Sequence, residues 1–278
     1  RLPDHWQLGL SRRSRSDYSK GTIIGHGRSI VEKVEYEGIA CVLKCFVIGR
    51  SDTLRAAHRE VRMLQRVKHP HIIELQACFI DGESAFLHLP YYPHGDLAQW
   101  LRRTATHQIP SLVPVTFANQ LCQALAYLAE QGIVHCDIKP ENVLVADDDE
   151  TTAAGTPKLK AVLSDFDVSK SAATGGGRTV TAVLGAGTTQ LATHATPGYT
   201  APEVAGARGR PVPAKPAIDV FALGCLVYHM HYYPRTLRAC QGAADAVAQE
   251  SAAWAASGQP PVAHREWMAV KGLVEVVK

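Results

Sequence analysis

The chain has 278 residues, of which 46% are hydrophobic and 20% charged, the make-up of a globular protein with length for one large bilobal domain or two small ones. This composition excludes a collagenous or wholly disordered chain, and a net charge of +3 spread thinly gives no dedicated nucleic-acid surface. Seven cysteines without a CxxC pair point to reduced thiols in the cytoplasm or nucleus, and without an apolar run of spanning length or a signal-like start no membrane is expected as a partner.

The basic run SRRSRSDYSK at 11–20 reads as part of a solvated arm over residues 1–17, with a docking patch as the alternative. From 22 to 48, glycines alternate with β-branched and apolar residues, predicting three short strands joined by tight turns. Next, Leu54, Ala57, Val61, Leu64 and Val67 recur at threes and fours, predicting a helix that His69-Pro70 ends. Strands near 72–79 and 85–91 complete a small sheet with one helix. Beyond Pro93 the pattern turns helical, most clearly over 114–131, where Phe117, Leu121, Leu125 and Leu128 make a stripe and Gly132 a stop. Short strands flank an acidic stretch, 147–157, read as a solvated loop, and 171–196 reads as a long mobile segment. Helical patterns return at 217–230 and 239–256. Because it opens on Arg1 and stops at Lys278 within an amphipathic run, the sequence reads as a fragment of something longer.

Gly25-His26-Gly27 alone would be an ordinary hairpin turn. It is followed, however, by Lys44 at the end of the third strand, Glu60 on the helix, HCDIKPEN at 135–142, Asp165-Phe166-Asp167, TPGYTAPE at 196–203 and Asp219 in AIDVFALG. In order and spacing this set resembles the eukaryotic protein kinase family, serine/threonine branch, over roughly residues 18–278. The resemblance implies an α+β bilobal fold: a β-rich N-lobe and hinge over 18–92 with one main helix, and a larger, mostly helical C-lobe over 93–278, truncated at its end.

It also implies ATP and Mg²⁺ as cofactors, a protein substrate, and roles for particular residues. Lys44, held by Glu60, would fix the α- and β-phosphates; Asp137 would take the substrate hydroxyl proton; Lys139 would meet the moving phosphoryl group; Asn142 and Asp165 would be the metal ligands. Gly25, Gly27, Val42, Pro90, Tyr92 and Leu144 would line the nucleotide, with the hinge at Leu89–Tyr92 and the Pro90 carbonyl toward adenine. Leu64, Leu75, His135 and Phe166 resemble the apolar column of the family, and Asp219 its buried anchor for the catalytic loop. Glu141 matches a position that binds substrate arginine, but its acidic companion is replaced by His229. Glu203 is expected to be buried and short of an arginine partner.

Three departures favour a rival reading, a pseudokinase acting as a nucleotide-responsive binding module. Ile30 stands in place of the third loop glycine, so that either Glu32 or, with a loop one residue shorter, Val31 covers adenine. Cys136 replaces the arginine that commonly precedes the catalytic aspartate, which predicts no switching through an activation-segment phosphate at this point. Asp167 replaces glycine, and if its backbone must be left-handed the cost is about 1–2 kcal/mol.

Overall fold

Strand-forming residues in the first ninety positions fold as the alternation predicts. The computed structural model describes residues 11–49, 51–104, 112–151, 157–171, 198–205 and 212–233. It contains two compact units, the first made of 1–93 with 163–169 and the second of 94–162 with 170–278. The expected mobile segment, except Ser171, and the helix at 239–256 lie outside the described residues.

In the first unit, β1 (Thr22–His26), β2 (Ile30–Tyr36), β3 (Ile39–Val47), β4 (Ala77–Asp81) and β5 (Ser84–Pro90) form one antiparallel sheet in the order β1-β2-β3-β5-β4. Helix α1 (Ser51–Leu64) packs beside β3 and β5, burying the predicted Ala57, Val61 and Leu64. It stops five residues short of His69-Pro70. Residues 72–76 are not the start of β4. Ile72 instead bridges Leu163, and the Ile73 N–H donates to the Leu163 carbonyl at 2.9 Å, which fixes where the segment 163–169 begins.

The basic run is not a solvated arm. From Ser11 onward it lies on the sheet: Tyr18 is buried and stacks on Phe79 with centroids 5.6 Å apart, Arg13 sits 4.1 Å over the Tyr36 ring, and Arg15 pairs with Glu32 at 2.9 Å. Aromatic faces and a carboxylate take up charges that composition alone assigned to water. His88 Nδ1 meets both Arg13 and, at 3.1 Å, the Tyr18 hydroxyl. Burial, then the Arg13 charge, lowers the His88 pKa to about 4. The unfolded chain therefore takes up this proton at a higher pH than the folded chain, so stability is present above the ordinary histidine pKa and is lost as pH falls toward 4. Between pH 7 and pH 5 urea unfolding should show a fall of about 1–2 kcal/mol from this group, allowing for partial solvent screening, and His88→Gln should remove that share of the pH dependence.

In the second unit, α2 (Leu97–Thr104), α3 (Leu112–Glu130) and α5 (Pro216–Tyr232) supply most of the described core, with a short α4 at Pro202–Ala205. The predicted α3 stripe is buried, and Gly132 ends that helix at φ 65°. Helix α2 had no assigned place in the sequence pattern; its signal is Asp96, whose Oδ1 accepts the Gln99 N–H at 2.7 Å as an N-cap. Strands β6 (Ile133–Val134) and β9 (Lys170–Ser171) pair antiparallel, and β7 (Val143–Thr151) pairs with β8 (Pro157–Leu163). The described part of the acidic stretch, 147–151 and 157, is thus strand: ladder pairing overrides the poor strand propensity of Asp and Glu.

Candidate active site

In the first unit, β3 and α1 bring Lys44 and Glu60 together. The Lys44 ammonium lies 2.9 and 2.8 Å from the two Glu60 carboxylate oxygens and 2.7 Å from Asp165 Oδ1. Burial alone would lower the Lys44 pKa, but Asp165 and Glu60 outweigh it and hold it above the ordinary value. For Glu60 burial dominates over Lys44 and raises its pKa to about 7. The result is a fixed cation whose direction is set by two carboxylates.

The β2–β3 register puts Val31 and Glu32 on opposite faces of the sheet. A bulge between Ile23 and Gly25 brings Gly25 opposite Val31, and the unbroken β2–β3 register, closed by the two-residue turn Glu37-Gly38, brings Val31 opposite Lys44. Residues directly opposite share a face, and Val42 lies two positions from Lys44, so Val31, Val42 and Lys44 are on one side. Glu32 points to the other, toward Arg15. At Gly25 an added Cβ would come to 3.4 Å from that of Val31. Pro90 closes β5 opposite Cys41, and burial, followed by Glu74, raises the Tyr92 pKa to about 12.

The backbone expectation for Asp167 is corrected. Only Glu37, Cys136 and Asp165 have positive φ among the described non-glycine residues, and Asp165 sits at 64°. The left-handed turn falls on the proposed metal ligand itself, a residue type that tolerates it, and the position usually glycine needs no glycine here. Phe166 is fully buried, and the Ser169 N–H donates to its carbonyl at 3.2 Å, closing the turn. The Asp167 carboxylate pairs with Arg28, and its carbonyl accepts from Arg59 at 2.7 Å. Neither arginine stood out in the sequence, because their common partner lies more than 100 positions away.

In the second unit, Asp219 of α5 anchors the backbone of the loop that carries HCDIKPEN. Asp219 is buried and its two oxygens accept the N–H groups of His135 at 2.7 Å and Cys136 at 2.8 Å, an anchor that lets Cys136 adopt φ 67°. Burial, reinforced by Asp219, pushes the Cys136 thiol far up, so it is neutral and inert. At the next residue, Asp137 Oδ2 accepts from Lys139 Nζ at 2.7 Å and Asn142 Nδ2 at 2.8 Å, and Asn142 Nδ2 also reaches the Asp137 carbonyl at 2.8 Å. Among the described residues Asp137 Oδ1 has no hydrogen-bond partner. Leu144 is half-buried beside this loop in sequence and bridges Asp96.

The column residues Leu64, Phe166 and His135 are buried, and Leu75 is half-buried. His229 is buried, its Nδ1 hydrogen-bonded to the Tyr199 hydroxyl and its pKa lowered by burial, so it supplies no anion for a substrate arginine. Glu203 is exposed, so the expected buried carboxylate lacking a partner is not found. Thr196 lies outside the described residues.

The protein kinase domain family model matches residues 18–258. The chain belongs to the protein kinase family. Its strand-rich first unit and helical second unit are the two lobes of that family's α+β fold. It is 29% identical over 180 residues to calcium/calmodulin-dependent protein kinase type 1 of Macrobrachium nipponense, covering 65% of this chain and 44% of the relative. With the human type IV calcium/calmodulin-dependent kinase it shares 28% over 229 residues, 82% of this chain and 43% of that protein. With serine/threonine-protein kinase cds1 of Schizosaccharomyces pombe it shares 26% over 236 residues, 81% of this chain and 46% of that one. The chain therefore spans less than half the length of these relatives.

Proposed function

We propose that the chain transfers the terminal phosphoryl group of ATP to serine or threonine hydroxyls of a protein substrate. The observation that carries this reading is the Asp137 carboxylate. Lys139 and Asn142 occupy Oδ2, so Oδ1 is the oxygen that accepts the proton of an incoming hydroxyl. The hydroxyl oxygen forms a bond to the γ-phosphorus as the bond to the ADP oxygen breaks, and Lys139 balances charge on the phosphoryl oxygens. Lys44, held by Glu60, would fix the α- and β-phosphates, with Gly25, Gly27, Val42, Pro90, Tyr92 and Leu144 around the nucleotide.

Asp165 and Asn142 would hold the metal. Among the described residues no three His, Cys, Asp or Glu side chains gather into a metal-binding group. Two oxygen-bearing side chains suit Mg²⁺, which keeps most of its waters and binds through few protein groups. When bound, it neutralises phosphate charge. The six described cysteines are thiols, consistent with a reducing compartment, and among the described residues no helix is long and apolar enough to cross a membrane.

The deciding measurement is transfer from γ-labelled ATP to a generic protein substrate with and without a Mg²⁺ chelator, followed by phosphoamino-acid analysis. Label on serine and threonine that disappears with chelation is expected; ATP binding without label on either would leave a binding module in place of the enzyme.

A further inference from the structure

Two cations of the first unit converge on Asp167. Arg28 Nη1 pairs with Oδ2, and Arg59 Nη1 meets the backbone carbonyl at 2.7 Å. Arg28 stands in the β1–β2 turn between Gly27 and Ser29, where the Gly27 N–H donates to the Ser29 carbonyl at 3.1 Å. Arg59 precedes Glu60 on α1. The side chains of Arg28 and Asp167 are 26% and 13% exposed, so the ion pair is partly shielded from water. Asp167 therefore ties the phosphate-loop turn to the segment bearing Asp165, and that segment to the helix bearing Glu60.

Charge settles whether this helps or hinders a nucleotide. ATP brings about four negative charges. An unpaired Asp167 two positions from Asp165 would repel them. Paired with Arg28 it adds no net charge, and the local set stands at three cations, Arg28, Lys44 and Arg59, against three carboxylates, Glu60, Asp165 and Asp167. A glycine-containing turn also loses conformational freedom when it closes on a ligand, and holding it beforehand reduces that loss.

We propose that Asp167 is a positioning residue for ATP: through Arg28 it pre-organises the β1–β2 turn for the phosphates, compensating for Ile30 in place of a third glycine. The inference takes ATP from the functional reading above but does not depend on phosphoryl transfer. Isothermal titration of Mg-ATP into the chain and into Arg28→Gln, Asp167→Asn and the double variant tests it. Asp167→Asn keeps the carbonyl that Arg59 uses, so the fold is retained. Each single change should weaken Kd about three- to tenfold, or about 0.7–1.4 kcal/mol, with the double no weaker than the worse single. Where transfer is measurable, KM for ATP should rise with kcat within about twofold. Amides 26–30 of the ligand-free chain should exchange faster in both singles. Unchanged Kd in either single, penalties that multiply in the double, or no ATP binding by the parent overturns the proposal. The expected binding pattern in a parent that transfers no phosphate would sink the kinase reading and leave this one standing.

Discussion

Asp137→Asn keeps the fold and ATP binding but lowers γ-phosphate transfer by about 10²–10⁴-fold, the range for loss of a positioned acid or base. The substitution is close to isosteric, and the Asn142 amide still reaches the residue 137 carbonyl, a bond of 2.8 Å that does not involve the side chain. The loop remains anchored through His135 and Cys136 on Asp219. What is lost is the anion: Lys139 no longer has a carboxylate at 2.7 Å, and the side-chain oxygen that remains is a poor proton acceptor. Thermal melting within a few degrees of the parent, together with the loss of transfer, is the expected pair of results. Equal transfer by variant and parent in preparations free of contaminating kinases would remove Asp137 from the mechanism.

The elements that position Asp137 were the more legible part of the sequence. The α3 stripe and the Gly132 stop are set by local periodicity and one backbone preference, and both are present. The Lys44–Glu60 pair was legible only through the resemblance to the kinase family, since Glu60 alone reads as a surface charge on its helix; the structure places it 2.9 Å from Lys44 within β3. Long-range pairings were not legible. The Arg13–Tyr36 and Tyr18–Phe79 contacts turned an apparently solvated run into a cover for the sheet, and nothing in the local pattern distinguishes a charge over a ring from a charge in water. The β2–β3 register put Val31, not Glu32, on the face of Lys44, and a one-residue slip that moves a whole strand face is what hydrophobic alternation left open.

The same limit explains the aspartate at 167, whose neighbours come from β1–β2 and α1. A glycine is demanded where φ is positive, and here φ is positive at 165. Each of the three departures that favoured a binding module has a local accommodation. The β2–β3 register puts Val31 on the face of Val42 and Lys44, Asp219 fixes the loop at Cys136, and Arg28 neutralises Asp167.

Positions 165 and 167 should therefore behave very differently. Asp165→Asn should lower Mg²⁺-dependent transfer by about 10²-fold or more, the scale of losing a fixed electrostatic group at the reacting phosphate. Asparagine is the informative replacement, because at φ 64° it shares aspartate's tolerance of the left-handed region, whereas another side chain would add about 1–2 kcal/mol of backbone strain to the lost ligand. It also takes the charge from the oxygen 2.7 Å from Lys44, leaving Glu60 as the anion in that ion-pair set. Asp167→Gly, by contrast, should stay within about tenfold of the parent. Its carbonyl remains for Arg59, glycine gains nothing where φ is not positive, and the lost pair with Arg28 is partly exposed, worth up to about 1 kcal/mol, less than a tenfold rate change. Side-by-side transfer assays with a Mg²⁺-dependent thermal shift on both variants distinguish the cases. A gain of several orders of magnitude for Asp167→Gly would mean that the aspartate disables the site, and an Asp165→Asn variant as active as the parent would mean that the metal is held elsewhere.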